Sequence, residues 1–180
     1  MPIGLAIFAG CLASVFGIIA LHECGHFLAG LLAGIPFGQM KVRLTVFPQH
    51  VALSEGQEWL SPVGDHARYV ARAKVLIRSR CGAIGYVAGG LLAQTAVFLA
   101  FVWVCRATDV PRVWQLPLTC SLVSVPALYF VADLLATGRT RRPCGDFSGL
   151  WEISPMASVL VTGLTLGAHT AGLIYVFETA

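Results

Sequence analysis

Residues 18–34, IIALHECGHFLAGLLAG, place two histidines and a glutamate inside an otherwise apolar run. In a helix, residues four apart share a face, so His22 and His26 can grip one metal ion from the same side. Glu23 follows the first histidine and can point at a metal-bound water. This is the HExxH arrangement: two imidazoles fix zinc, and the glutamate takes the water's proton as the water attacks a carbonyl. Zinc lowers the pKa of its bound water to about 7, which makes hydroxide available even where solvent is scarce. The bland alternative is a pair of interfacial histidines beside a snorkelling glutamate. Burying an ionisable group in a membrane helix costs about 2.5–3.5 kcal/mol on insertion scales. Three such groups within five residues, at metal-binding spacing, favour metal binding.

The elements that must hold these residues are apolar. The chain has 180 residues, 57% of them hydrophobic and 12% charged, with a mean hydropathy of +0.77. A soluble domain carries roughly 25% charged residues, so most of this chain is dissolved in lipid. One membrane-embedded domain, 1–180, accounts for the length. Four runs are long enough to cross a hydrocarbon core of ~30 Å as helices: 3–34, 81–105, 113–137 and 154–177. The first is too long for one upright span and must tilt, extend beyond the bilayer, or break near Gly30 or Gly34. It has no basic residue before Lys41, so it reads as a retained span and not a signal peptide. The expected fold is thus an all-α polytopic membrane protein with about four transmembrane helices.

The sizeable polar stretch is 36–80. Its first part, around 38–53, alternates like a strand pair turning near Pro48 and Gln49. Its second part, GDHARYVARAKVLIRSR, has the pattern of a helix lying on the membrane surface. Loop 36–80 carries Lys41, Arg43, Arg68, Arg72, Lys74, Arg78 and Arg80, and loop 138–153 adds Arg139, Arg141 and Arg142. Only Arg106 and Arg112 fall on the opposite side. This asymmetry predicts both loops in the cytoplasm and both termini outside, in an inner or plasma membrane. Trp59, Trp103, Trp114 and Trp151 lie near span ends, as an aromatic belt requires, and Pro117 and Pro126 suggest a kink in span three. The six cysteines form no CxxC pair and read as small hydrophobes. There is no phosphate loop, and the basic residues match topology, so no nucleic-acid partner is expected.

A zinc that keeps a catalytic water needs a third protein ligand. The candidates are Asp133, Asp146 and His169. Asp146 lies between Gly145 and Gly149 in a loop on the side that His26 approaches, and is preferred. Asp133, near the same end of its span, comes second. His169 falls toward the outer half of span four, which is poor geometry. The competing role for Asp146 is that of a loop aspartate capping the helix that follows.

With these residues in view, the chain resembles the intramembrane zinc metalloproteases of the site-2 protease family. HECGHFLAGLLAGI is similar to that family's HExGH helix. VAGGLLAQ, residues 87–94, is similar to its Ala-Gly-Pro-x-x-Asn segment, with Gly90 where proline is usual and Gln94 where asparagine is usual. CGDFSGLWEISP departs from the family's Leu-Asp-Gly motif and looks more like the aspartate segment of a small, divergent branch. The resemblance implies one zinc per chain, held by His22, His26 and Asp146, with Glu23 as general base. It implies a substrate that is a transmembrane segment of another protein, cut within the lipid bilayer. Such a segment must be unwound before attack. Stretch 38–53 could pair with it by strand addition, and Gln94 beside Gly89 and Gly90 could bond its backbone or the oxyanion. For Gln94 the alternative is a hydrogen bond between spans, and for the glycines close helix packing. A membrane partner or a second copy of the chain could present the substrate. The other class of reading is a non-catalytic membrane protein that uses HECGH for structural metal binding, metal transport or partner assembly.

Overall fold

The computed structural model describes residues 3–108 and 110–179. Its elements are α1 (Ile3–Leu32), β1 (Met40–Arg43), β2 (His50–Glu55), β3 (Glu58–Leu60), α2 (His66–Leu76), α3 (Arg80–Ala107), α4 (Arg112–Thr140), α5 (Asp146–Ile153) and α6 (Pro155–Thr179). Helices α1, α3, α4 and α6 are each long and apolar enough to cross a membrane. Four alternating spans bring the segments 33–79 and 141–154 to one end of the bundle, where Arg80 Nη2 donates to the Ile153 carbonyl (2.9 Å).

Helix α1 runs without a break for 30 residues, about 45 Å at 1.5 Å per residue. Gly30 does not interrupt it; its missing side chain makes room for Met40 and Tyr86. The helix stops at Gly34, whose φ of +94° is a left-handed conformation. There the Gly34 N–H donates to the Leu31 carbonyl (3.0 Å) and the Ile35 N–H to the Gly30 carbonyl (2.9 Å). This is a Schellman cap, and it satisfies carbonyls that the helix end would leave bare. The turn sends Ile35 into a core with Met40, Val51, Leu53, Ile77 and Tyr86, which seats the sheet on the end of α1.

The sheet has three antiparallel strands in the order β1-β2-β3. The sequence reading anticipated the first pair but not β3. A two-residue turn, Gly56-Gln57, joins β2 to β3, and only Gly56 has a positive φ (+62°), as in a type II′ hairpin. Helix α2 lies across this sheet and is tied to it: Arg72 donates to the Ser54 carbonyl and to Gln39, and Arg68 pairs with Glu55 and Glu58. Those two arginines therefore hold the sheet as well as carrying the topology signal.

Helices α1 and α3 meet backbone to backbone. A Cβ on Gly89 would come within 2.6 Å of the Gly25 carbonyl oxygen, and one on Gly25 would strike the Gly89 carbonyl. Small residues at a crossing permit this approach, which is how helices associate where lipid offers no hydrophobic drive. Pro117 and Pro126 both lie inside α4, which continues through them. The 138–153 stretch, read from sequence as a loop, contains α5, whose Phe147 and Leu150 pack with Ala88 and Leu91 of α3.

Candidate metal centre

His22, Glu23 and His26 project from the C-terminal part of α1 and are buried. Helical spacing sets the two imidazoles nearly perpendicular, with ring centroids 4.7 Å apart. Their Nε2 atoms are 3.0 Å from each other. Asp146, the first residue of α5, brings its Oδ2 to 2.9 Å from His22 Nε2 and 3.1 Å from His26 Nε2. The three form the one His/Cys/Asp/Glu group among the described residues whose donor atoms converge as metal ligands do. Edges of about 3 Å are close to the roughly 3.3 Å that separates ligands on a tetrahedral zinc with bonds near 2.0–2.1 Å.

Each histidine is oriented by its other nitrogen. His26 Nδ1 lies 2.8 Å from the Tyr86 carbonyl oxygen. A carbonyl only accepts, so Nδ1 carries the proton and Nε2 of the neutral ring presents a lone pair. His22 Nδ1 lies 3.2 Å from Gln94 Oε1, which assigns that ring the same tautomer. Two lone pairs and a carboxylate oxygen thus face one another at hydrogen-bonding distance. Such a set is stable only with positive charge between its members, a shared proton or a metal ion. Partners of this kind on the far nitrogen are what metal-ligating histidines ordinarily have. With the proton alternative, positive charge on the His26 and His22 rings outweighs burial, which alone would raise the Asp146 carboxyl, and holds that group well below the usual carboxylate range. An anionic Asp146 oxygen suits a shared proton or a metal ion equally.

The space for a metal is made by glycine. A Cβ on Gly90 would lie 2.5 Å from His26 Nε2 and 2.7 Å from His22 Nε2. Any larger residue there would fill the cradle. Gly89 instead serves the helix contact with Gly25, so the two adjacent glycines named from sequence do different things. Gln94 uses its oxygen on His22 and leaves Nε2 buried without a partner among the described residues. Glu23 is buried next to the same group, its carboxyl within electrostatic reach of His26, His22 and Asp146. Tyr129 sits edge-on to His22, with ring centroids 5.4 Å apart.

The remaining sequence candidates lie elsewhere. His169 stacks on Phe98 with centroids 4.3 Å apart and bonds the Thr165 carbonyl, outside the metal group. Asp133 is buried close by but faces α5 backbone and Ser148, not the imidazoles. The capping role that sequence offered to Asp146 belongs to Asp133. Sequence reading did not foresee the Tyr86 carbonyl as the partner of His26, since a backbone acceptor carries no residue signature. Comparison of the chain with family models, with curated proteins and with solved structures returns no match.

Proposed function

We propose that this chain is an intramembrane zinc metallopeptidase of the site-2 protease kind, hydrolysing peptide bonds within transmembrane segments of other membrane proteins. The observation that carries the reading is the convergence of His22 Nε2, His26 Nε2 and Asp146 Oδ2 beside a buried Glu23. Only three donors converge among the described residues. A purely structural zinc takes four protein ligands, whereas a catalytic one takes three and keeps a place for water or substrate. That difference favours hydrolysis over the non-catalytic reading.

The chemistry that zinc supplies in such a site is Lewis acidity and an acidified water. Glu23 accepts the water's proton as the new C–O bond forms, and returns it to the amide nitrogen as the C–N bond breaks. Gln94 holds the His22 ring with its oxygen and keeps a buried N–H for a substrate carbonyl. The substrate enters unwound, and β1 at the edge of the sheet beside α1 offers a strand for it to pair with. The site faces the cytoplasmic side of an inner or plasma membrane, by the basic loops.

The test uses purified full-length protein in a bilayer. Wild type is expected to contain about one zinc per chain and His22→Ala none. Against a panel of single-span reporter proteins in the same bilayer, Glu23→Gln is expected to keep its zinc and lose at least ~10²-fold in cleavage rate. Undiminished cleavage by Glu23→Gln overturns the mechanism, and metal-free wild type overturns the whole reading.

A further inference from the structure

The Asp146 ligand stands on a short helix that has no N-cap side chain of its own. Gly145 is the N-cap residue of α5, and glycine cannot offer the oxygen that Ser, Thr, Asp or Asn would turn toward the N2 or N3 amide. Asp133, from α4, does so instead. Its Oδ2 accepts from the Ser148 N–H (2.9 Å), the N3 amide of α5, and its Oδ1 accepts from Ser148 Oγ (2.5 Å) and Thr137 Oγ1 (3.0 Å). Ser148 completes the knot by accepting from the Gly145 N–H (3.2 Å) and the Cys144 N–H (3.0 Å). Half of this is the reciprocal capping box; the other half is borrowed from a different helix.

Two further features fit. A Cβ on Gly145 would lie 2.7 Å from Asp133 Cγ, so the absent N-cap side chain is what lets the borrowed carboxylate approach. Asp133 is itself buried, and three donors together with the positive end of α5 compensate its charge. With the cap supplied from outside, the Asp146 side chain is released from capping and reaches the histidines.

We propose that Asp133 is a positioning residue that ties the Asp146 segment to α4 and so fixes the third ligand against His22 and His26. This rests on the metal reading above for its consequence, but the tie itself is independent of metal. Two readouts separate them. The first is Co²⁺ binding to full-length protein in a bilayer, followed by affinity and by the visible d–d spectrum. Asp133→Asn loses one acceptor from the knot and is expected to weaken Co²⁺ binding about 10–100-fold, as loss of a group supporting a ligand does, with a shifted spectrum. Ser148→Ala is expected to act in the same direction by less, and serves if Asp133→Asn does not fold. The second readout is alkylation of Cys144, an exposed thiol two residues before Asp146, located by mass spectrometry in metal-free protein. Both variants are expected to speed it. A wild-type Co²⁺ spectrum and affinity in both variants overturns the positioning role, whatever Cys144 does. Were wild type itself to bind no metal, the peptidase reading would fall, and unchanged Cys144 labelling would then overturn the tie as well.

Discussion

The two halves of the candidate metal centre are held by different physics. His22 and His26 stand on one helix, whose distance from α3 is set where the Gly25 and Gly89 backbones touch. Asp146 stands on an eight-residue helix joined to the bundle partly by a polar knot around Asp133 and Ser148. Backbone contact between long helices has no rotamer to adjust, so that half is stiff. A hydrogen-bonded knot can open one bond at a time, each bond onto the Asp133 carboxylate contributing only about 1.5–3 kcal/mol net. The candidate ligand most able to move is thus the one brought from far along the chain.

The largest effect expected from breaking the stiff half is at Gly90. Gly90→Val places carbon where the imidazole nitrogens converge, and overpacking of this kind costs roughly 1–3 kcal/mol. Metal analysis is expected to find under a tenth of the wild-type zinc, while Cys144 alkylation stays at its wild-type rate because the knot is untouched. Full zinc content in this variant would mean that α1 and α3 slide, and the contrast between the halves would fail.

A smaller effect sharpens the same comparison from the side of α3. Gln94→Leu removes the acceptor of His22 Nδ1 and frees the ring to turn. Zinc affinity, measured by competition with a chelator, is expected to drop about 10–100-fold. An unchanged affinity would show that helical spacing alone orients His22.

The smallest effect lies outside both halves. Tyr69 of α2 donates to the Val51 carbonyl (3.0 Å) and meets the Tyr86 hydroxyl (2.6 Å), linking the sheet to the residue whose carbonyl holds His26. Tyr69→Phe is expected to lower stability by about 1 kcal/mol, read by thermal unfolding in detergent, with zinc content unchanged. Loss of zinc here would extend the stiff half out to α2.

Much of the molecule was legible because membrane spans and HExxH are local patterns. Twenty apolar residues suffice for a span-length helix, and two histidines four apart share one helical face, so both features are set by short stretches of sequence. The strand pair was legible from alternation, whereas β3, with three residues, is too short to show a period. Helix α5 escaped notice for a related reason: its eight residues, DFSGLWEI, open after a glycine and contain another, which reads as loop. The preference for Asp146 over Asp133 followed from chain topology, but the task of Asp133 could not, since it depends on which backbone amide lies opposite a side chain fifteen residues away.

The order of residues by itself determined four helices, among the described residues, long and apolar enough to cross a membrane, and put His22, Glu23 and His26 within about one turn of the first, because hydropathy and the 3.6-residue repeat act over short stretches. Only the tertiary structure decided that Asp146 closes the triangle, that Gly90 leaves it open in the middle, and that Asp133 caps a helix it does not belong to. Those outcomes are distances between segments remote in sequence, set by how helices cross and where a turn returns the chain.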